Sequence, residues 1–313
     1  MEVLGSIAEL RRVGKPAHLA IGVFDGIHLG HRAVIGRAVD DARQTGGASV
    51  VVTFHPHPEK VLRPDRAPRL LTSAEHKVRL IHSLGADFLL VVPFDEAFAA
   101  TEAGDFVELL AASCVQLAGI CVGQTWRFGR GARGNVELLT TMGGQLGFKV
   151  HGVASVEAPG GTGPVSSTRI RKAVEAGDLP LAAKLLGRSY TLLGTVRHGQ
   201  ALGRKLGFPT ANLLTHNEQF PPTGVYAVRA QVYGATNLEL TGVANLGYRP
   251  TVEDPAVSKL LLEVHLFDFQ GDIYGHEMEV EFVAKIRDEM KFNGLEALTA
   301  QIASDAQAAR ELF

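Results

Sequence analysis

The chain has 313 residues, 46% hydrophobic and 20% charged, and its 31 basic and 33 acidic side chains give a formal net charge of −2. At ~150 residues per domain this length predicts two domains, and the composition excludes a mainly disordered chain. Near-neutral charge removes bulk attraction to nucleic acid or an anionic membrane, while leaving room for a local cationic pocket.

The first half alternates strand and helix patterns. His18–Phe24 reads as a strand, and Leu29–Thr45 carries apolar residues at helical spacing until Gly46-Gly47 ends it. Ser49–Phe54 is a continuous β-branched, apolar run, the pattern of a strand buried on both faces. Thr72-Ser-Ala-Glu75 is a capping box that opens a helix to about Leu84. Strands are then expected at Phe88–Val92, Ile120–Val122 and Lys149–Val153. Helices are expected at about Ala103–Leu117 and Asn135–Leu146. This order predicts a parallel sheet with helices on both faces, whose ligands bind at the C-terminal ends of the strands. The glycine-bearing Ala158–Val165 reads as a mobile loop, and Ala173–Gly187 as a helical connector.

The character changes after Gly187. Short β-rich runs at Thr191–Val196, Val225–Val232, Leu238–Ala244, Leu260–Phe267 and Met278–Val283 are separated by Gly- and Pro-bearing turns. They predict an all-β barrel or sandwich. An amphipathic helix over about Leu295–Glu311 is expected to pack against it. The expected fold class is α/β followed by all-β, with domains at 1–186 and 187–313.

Cys114 and Cys121 are too few for a disulfide framework and are expected to act as small hydrophobes in a reducing compartment. The start of the chain lacks a signal-peptide pattern. The longest apolar run, Phe88–Pro93, falls far short of the ~20 residues that span a bilayer. These features predict a soluble, cytoplasmic protein.

The sharpest motif is Gly22-Val-Phe-Asp-Gly-Ile-His-Leu-Gly-His31. A strand runs into a glycine-bearing turn and then into a helix start, where His28 and His31 stand three apart. Glycines admit a ligand close to the backbone, and a helix N-terminus attracts anions. The arrangement points to phosphate binding rather than a pair of surface histidines, and zinc would need a third ligand that the spacing does not offer. Val165-Ser-Ser-Thr-Arg-Ile-Arg171 places Ser166, Ser167 and Thr168 at a helix start, followed by Arg169 and Arg171. Hydroxyls there are ordinary caps. Cations in a first turn oppose the helix dipole and make sense where a polyphosphate sits. Gly129–Gly134 matches G-x-G-x-x-G, but it does not follow the first strand, so it is a cationic loop rather than a dinucleotide fingerprint.

Gly22–His31 resembles the H-x-G-H signature of the nucleotidyltransferase superfamily, in the wording of bacterial bifunctional riboflavin kinase/FAD synthetases. Further segments resemble that family in order: Thr53-Phe-His-Pro-His-Pro58, Val165–Arg171, Gly203-Arg-Lys-Leu-Gly-Phe-Pro-Thr-Ala-Asn212, Asn245-Leu-Gly-Tyr-Arg-Pro-Thr251 and Arg287-Asp-Glu-Met-Lys-Phe292. The resemblance implies a nucleotidyltransferase-type α/β domain that makes FAD from FMN and ATP, then a small β-barrel that phosphorylates riboflavin to FMN. It implies that Gly22, Phe24, Asp25, His28, Gly30, His31, Ser166, Ser167, Thr168 and Arg171 meet the nucleotide phosphates. His57 and Pro58, on a proline-stiffened loop, would lie near flavin, with Thr125, Trp126, Arg127 and Phe128.

In the second half the P-loop pattern is missing, so the phosphates would meet the turns Gly194–Gly199 and Gly203–Gly207, with Arg204 and Lys205 supplying charge. Thr210 and Asn212 offer hard oxygens two residues apart. From the residues alone they read as a strand start, and the resemblance makes them ligands for Mg²⁺. Glu263 shares a strand face with Leu261 and His265, where a carboxylate is costly unless paired or useful. An ion pair with Arg249 would explain it, and the resemblance makes it the general base. Arg287 and Phe292 are expected at the flavin or a phosphate.

One segment departs from the family. Val122-Gly-Gln-Thr-Trp-Arg-Phe-Gly129 stands where VG-x-[DN]-F-x-FG is usual, so Thr125 replaces an acid or amide and Trp126 replaces Phe. This leaves two alternatives to a bifunctional enzyme. One is a monofunctional riboflavin kinase with a degenerate first domain, against which His28, His31, Ser167 and Arg171 argue. The other is a flavin-binding regulatory protein, which would not require Glu263. Partners are expected to be small molecules, with oligomeric state left open.

Overall fold

The computed structural model describes residues 1–198, 203, 206–234, 239–250 and 258–313, with the backbone alone described at 249, 250, 258 and 259. The chain divides into two compact units. The first comprises Met1–Leu70, Ala74–Arg169 and Leu185–Gly187, and the second Leu71–Ser73, Ile170–Lys184 and Arg188–Phe313.

The first unit is built on six parallel strands: β1 (Glu2–Leu4), β2 (Pro16–Ile21), β3 (Ala48–His55), β4 (Phe88–Pro93), β5 (Gln116–Gly123) and β6 (Lys149–Val153), in the order β1-β4-β3-β2-β5-β6. Residues alternate between two cores, as a strand covered on both faces requires. Leu19, Ile21, Val50, Val52, Ile120 and Val122 enter one core, while Ala20, Val51 and Cys121 enter the other. The first core is roofed by α5 (Ala103–Ser113) through Phe106, Val107 and Leu110, and by α6 (Val136–Leu146) through Leu139 and Met142. The second takes Val34, Ile35, Ala38 and Val39 from α1 (Leu29–Thr45) and Ile81 from α3 (Ala74–Ser83). Each such fully buried aliphatic side chain contributes ~1.5–3 kcal/mol. Three further helices are α2 (Pro58–Leu62), α4 (Glu96–Ala99) and α7 (Ser167–Glu175), whose residues the division assigns partly to each unit.

The doubly covered parallel sheet is the one expected, with β1 added as an edge strand of three residues. α1 spans the predicted residues, and its C-cap Gly46 adopts φ +69°. α5 stops at Ser113, four residues early, because Gln116 already pairs with β2. Ala158–Val165 is a hydrogen-bonded turn rather than an open loop. Ala158 N–H donates to Gly163 O at 3.0 Å, and Val165 N–H to Val156 O at 2.9 Å.

In the second unit the expected helical connector is α7's second half together with α8 (Leu179–Leu186). Six antiparallel strands then close a barrel: β7 (Thr191–Arg197), β8 (Ala211–Thr215), β9 (Gly224–Tyr233), β10 (Glu239–Pro250), β11 (Ser258–Leu266) and β12 (Glu277–Arg287), in the order β10-β11-β8-β7-β12-β9. Closure leaves no open sheet edge. Five of the strands follow the predicted runs, and β8 is additional. α9 (Leu295–Arg310) packs Ala306 and Ala309 against Val225, Ala227, Val243 and Phe267 of the barrel's outer wall. Cys121 is fully buried and Cys114 half-buried, and burial pushes their thiols up to about 12 and about 11, so both remain protonated packing groups.

Candidate active sites

In the first unit all strands end at one edge of the sheet, because every pairing is parallel. The chain leaves β2 toward α1 on one side of that strand and reaches β5 on the other, so strand order reverses there. Such a switch point opens a crevice for ligands. The turn after β2 carries the H-x-G-H motif, and the turn after β5 carries Thr125–Phe128.

The first turn is strained. Phe24 and Ile27 adopt φ +52° and +43°, on either side of Gly26 at +84°. Positive φ is costly for a β-branched residue, ~1–3 kcal/mol, so surrounding contacts must hold it. Thr53 Oγ1 and Lys77 Nζ both donate to the Val23 carbonyl, at 3.0 and 2.9 Å, and Ser167 Oγ donates to the Asp25 carbonyl at 3.0 Å. The turn delivers His28 to the N-cap of α1, where its Nδ1 accepts the His31 N–H at 3.2 Å. A neutral ring with an accepting Nδ1 carries its proton on Nε2, the donor a phosphate oxygen needs. His31 stacks on His28 with ring centroids 3.5 Å apart. Gly30 leaves room for them, since a Cβ there would press on the His28 ring at 3.2 Å.

The structure therefore brings together His28, Gly30, His31 and Ser167. Phe24 and Asp25 are each 2% exposed, so their side chains shape the turn and are not displayed to a ligand. Ser166 Oγ accepts the Arg169 N–H at 3.3 Å as a cap, and Thr168 is exposed. Arg169 needs no polyphosphate to explain it: its guanidinium donates to Gly163 O at 2.8 Å and Pro164 O at 2.6 Å, tying down the turn before α7. Arg171 lies two residues further along the helix, about half a turn on. Lys77 carries no motif and was not expected at this turn; a lysine on an amphipathic helix reads as a solvated charge.

His57 caps α2, its Nδ1 accepting the Glu59 N–H at 3.1 Å, with Pro58 beginning the helix. After β5, Thr125 and Arg127 are exposed and Trp126 is half-buried. Phe128 is a correction: it is 7% exposed and belongs to the core, stacked beneath Trp126 at 4.5 Å and within 6.0 Å of Phe106. It supports the tryptophan and offers no face of its own. Phe128 and Gly134 exchange backbone hydrogen bonds at 3.2 and 2.8 Å, closing the cationic loop between them.

In the second unit, strand register assembles the site. Glu263 of β11 stands opposite Asn212 of β8 and Asn245 of β10, a row across three neighbouring strands. The row opens on a cavity of about 320 Å³ between the barrel's outer wall and α9, which also touches Gly203, Thr210, His265, Arg287 and Phe292. Leu262, Val264 and Leu266 alternate with Glu263 and are buried on the other face of the strand. Gly203 accepts the Phe208 N–H at 2.8 Å, and Gly207 turns at φ +86°. A second cavity, of about 240 Å³, is lined by Val264, Leu266, Phe269, Ile273 and Tyr274, and Thr210 borders both.

Arg287 differs from expectation. Its guanidinium makes a bidentate pair with Asp305 of α9, at 2.7 to 3.0 Å, and lies over Phe292 at 5.6 Å. Asp305 is 4% exposed and also accepts from Gln301. The arginine therefore joins the segment after β12 to the last helix while still bordering the cavity. Arg204, Lys205, Gly199 and Thr251 lie outside the described residues, as does the Arg249 side chain.

A FAD synthetase family model matches residues 11–169 and a riboflavin kinase model matches residues 186–313. The bifunctional riboflavin kinase/FMN adenylyltransferase of Bacillus subtilis is 40% identical over 94% of this chain and 92% of its own length. The Escherichia coli K12 protein of the same description shows the same identity and coverage. The chain belongs to this bifunctional family. A crystal structure from Streptococcus pneumoniae, described as a macrolide-efflux protein, is 30% identical, covers 94% of both chains and superposes with a TM-score of 0.78. Among the described residues of the present chain, no helix is long and apolar enough to cross a membrane. The presence of both family modules does not favour the monofunctional or regulatory readings.

Proposed function

We infer that the chain makes FAD from riboflavin in two steps, with a boundary near residues 186–187: the barrel phosphorylates riboflavin to FMN, and the α/β domain joins AMP to FMN. The observation that carries this is the row Asn212–Glu263–Asn245 facing a cavity beside Thr210. Riboflavin's primary hydroxyl reaches Glu263, whose carboxylate accepts the proton as the oxygen bonds to the γ-phosphorus. The bond from that phosphorus to the bridging oxygen breaks, and ADP leaves. The second cavity, with Tyr274 and Phe269 along it, suits an adenine ring. Thr210, shared by the two, marks where the phosphoryl group crosses.

ATP-using enzymes of this kind generally need a divalent metal. The Thr210 hydroxyl and Asn212 amide oxygen are hard donors beside Glu263, so they fit Mg²⁺ carried with the nucleotide. When bound, the ion neutralises charge on the β- and γ-phosphates. Thr210 and Asn212 then orient that end of the nucleotide, and Glu263 holds the proton.

At the first unit the FMN phosphate is already an anionic nucleophile. Its oxygen attacks the α-phosphorus of ATP and pyrophosphate departs, so positioning dominates over proton removal. The His28 and His31 imidazoles supply hydrogen bonds to phosphate oxygens, and Ser167 and Arg171 of the Val165–Arg171 motif are assigned to the same phosphates. Trp126 offers a flat face for a ring system, and His57 and Pro58 a wall. We place both steps in the cytoplasm. Riboflavin incubated with MgATP and followed by mass spectrometry should yield FMN, then FAD with pyrophosphate. FMN as the sole product removes the second step, and unchanged riboflavin removes both.

A further inference from the structure

We propose that Lys77 is a positioning residue for adenylyl transfer, holding the Val23 carbonyl so that the following turn sets the His28 imidazole against ATP. The proposal rests on the reading that the Gly22–His31 turn meets the nucleotide phosphates. Lys77 stands on α3, 54 positions from Val23, and no sequence motif connects them. The chain between Val23 and His28 contains three residues at positive φ, two of them not glycine. Such a backbone persists only where its neighbours fix it.

The fixing is two-sided. Before Phe24, the Val23 carbonyl receives Lys77 Nζ at 2.9 Å and Thr53 Oγ1 at 3.0 Å; after it, the Asp25 carbonyl receives Ser167 Oγ at 3.0 Å. Of these donors only Lys77 reaches the turn from α3, and its bond is the second of two on the Val23 carbonyl. The buried Asp25 stands near enough to attract the ammonium, which burial otherwise destabilises: burial pushes Lys77 below the usual lysine range and Asp25 opposes it. The Lys77 side chain is thus part-buried, with its Nζ bonded to the Val23 carbonyl and Asp25 near enough to attract it. Loss of the bond lets the Phe24–Ile27 backbone relax toward ordinary φ, carrying the His28 ring with it. A shift of about 1 Å in such a group costs about 10²-fold in rate.

The test uses the full chain with Lys77→Met, similar in length but unable to donate. FMN adenylylation and riboflavin phosphorylation are measured separately. The variant should lose about 10- to 100-fold in kcat for adenylylation, with KM for ATP and FMN within about threefold and riboflavin phosphorylation within about twofold. Long-range ¹H–¹⁵N spectra should show the His28 Nε2–H tautomer in the native protein and a mixture in the variant. If Lys77→Met does not fold, Lys77→Gln, which is shorter and uncharged, is read by the same criteria. Native kcat with a single His28 tautomer in a folded variant overturns the proposal. So does a loss confined to KM. A native chain that makes no FAD from supplied FMN defeats the underlying reading instead, which separates the two failures.

Discussion

The two units present their chemistry in opposite ways. In the barrel, Asn212, Glu263 and Asn245 sit in regular strands, and ladder register alone puts them side by side. In the α/β unit, His28 and His31 follow a strained turn held by Thr53, Lys77 and Ser167 from three distant segments. A site written into strand register inherits its geometry from the backbone ladder. A site on a turn depends on fasteners that touch no substrate. The barrel should therefore fail when a chemical group is removed, while the turn should fail both at its imidazoles and at the bonds behind them.

The largest effect should come from Glu263→Gln. The amide keeps the shape and takes away the proton acceptor, so riboflavin phosphorylation should fall ~10²–10⁴-fold. FMN adenylylation should stay near normal, because its imidazoles and strained turn belong to the other unit. Near-normal kinase turnover in the folded variant would remove Glu263 from the chemistry.

The mirror experiment is His28→Ala with His31→Ala. Removing preorganised donors at a developing charge costs ~10²–10³-fold, so FMN should accumulate from riboflavin while FAD does not. Supplied FMN converted to FAD at the native rate would show that the imidazoles do not serve the phosphates.

Much of this contrast was legible in the sequence, and unevenly. α1 was readable to the residue because its apolar period is long and Gly46 ends it. Glu263 was conspicuous because a carboxylate in Leu260–Phe267 breaks an apolar run. β1 was missed because three residues carry no usable period, and β8 because Thr210 and Asn212 mark only a strand start, with too short a run after them to carry one. The motif residue Asn245 gave no sign of its pairing with Glu263, and the fastener Lys77 and the anchor Asp305 were invisible for one reason. Each is an ordinary polar residue in its own segment, and its role exists only once a distant segment arrives. Phe128 was assigned to a ligand for the converse reason, since a motif does not reveal that the core has already taken the side chain.

Asp305 sharpens the barrel's side of the comparison, because it is a fastener there. Asp305→Ala strips Arg287 of its bidentate partner while leaving Glu263 and Asn212 in their strands. The segment after β12 should loosen and the cavity lose part of its wall. We expect KM for riboflavin to rise about tenfold, equivalent to ~1.4 kcal/mol, with kcat changed less. An unchanged KM would confine the Arg287–Asp305 pair to holding α9.

A gain instead of a loss is expected at Thr125 and Trp126, where the question is whether the turn after β5 obeys the same logic as the turn after β2. An acid or amide at position 125 can anchor a polar ligand group through a charge or a planar donor–acceptor pair. A hydroxyl offers one short donor and weaker acceptors. The difference is worth ~1.5–3 kcal/mol when the contact is charged. Trp126 offsets part of it, since a larger aromatic face gains ~0.5–1.5 kcal/mol on stacking. The structure adds that this face is braced from below by Phe128 at 4.5 Å, so the indole is a supported platform. Thr125→Asp with Trp126→Phe should raise kcat/KM for FMN adenylylation by roughly three- to thirtyfold and leave riboflavin phosphorylation unchanged. Thr125→Asp alone should do better still if the tryptophan compensates independently of the lost acid. A folded double variant with equal or lower efficiency would show that Thr125 and Trp126 work as a matched pair: the ligand is then held by the braced ring, and polar contact at position 125 is not needed.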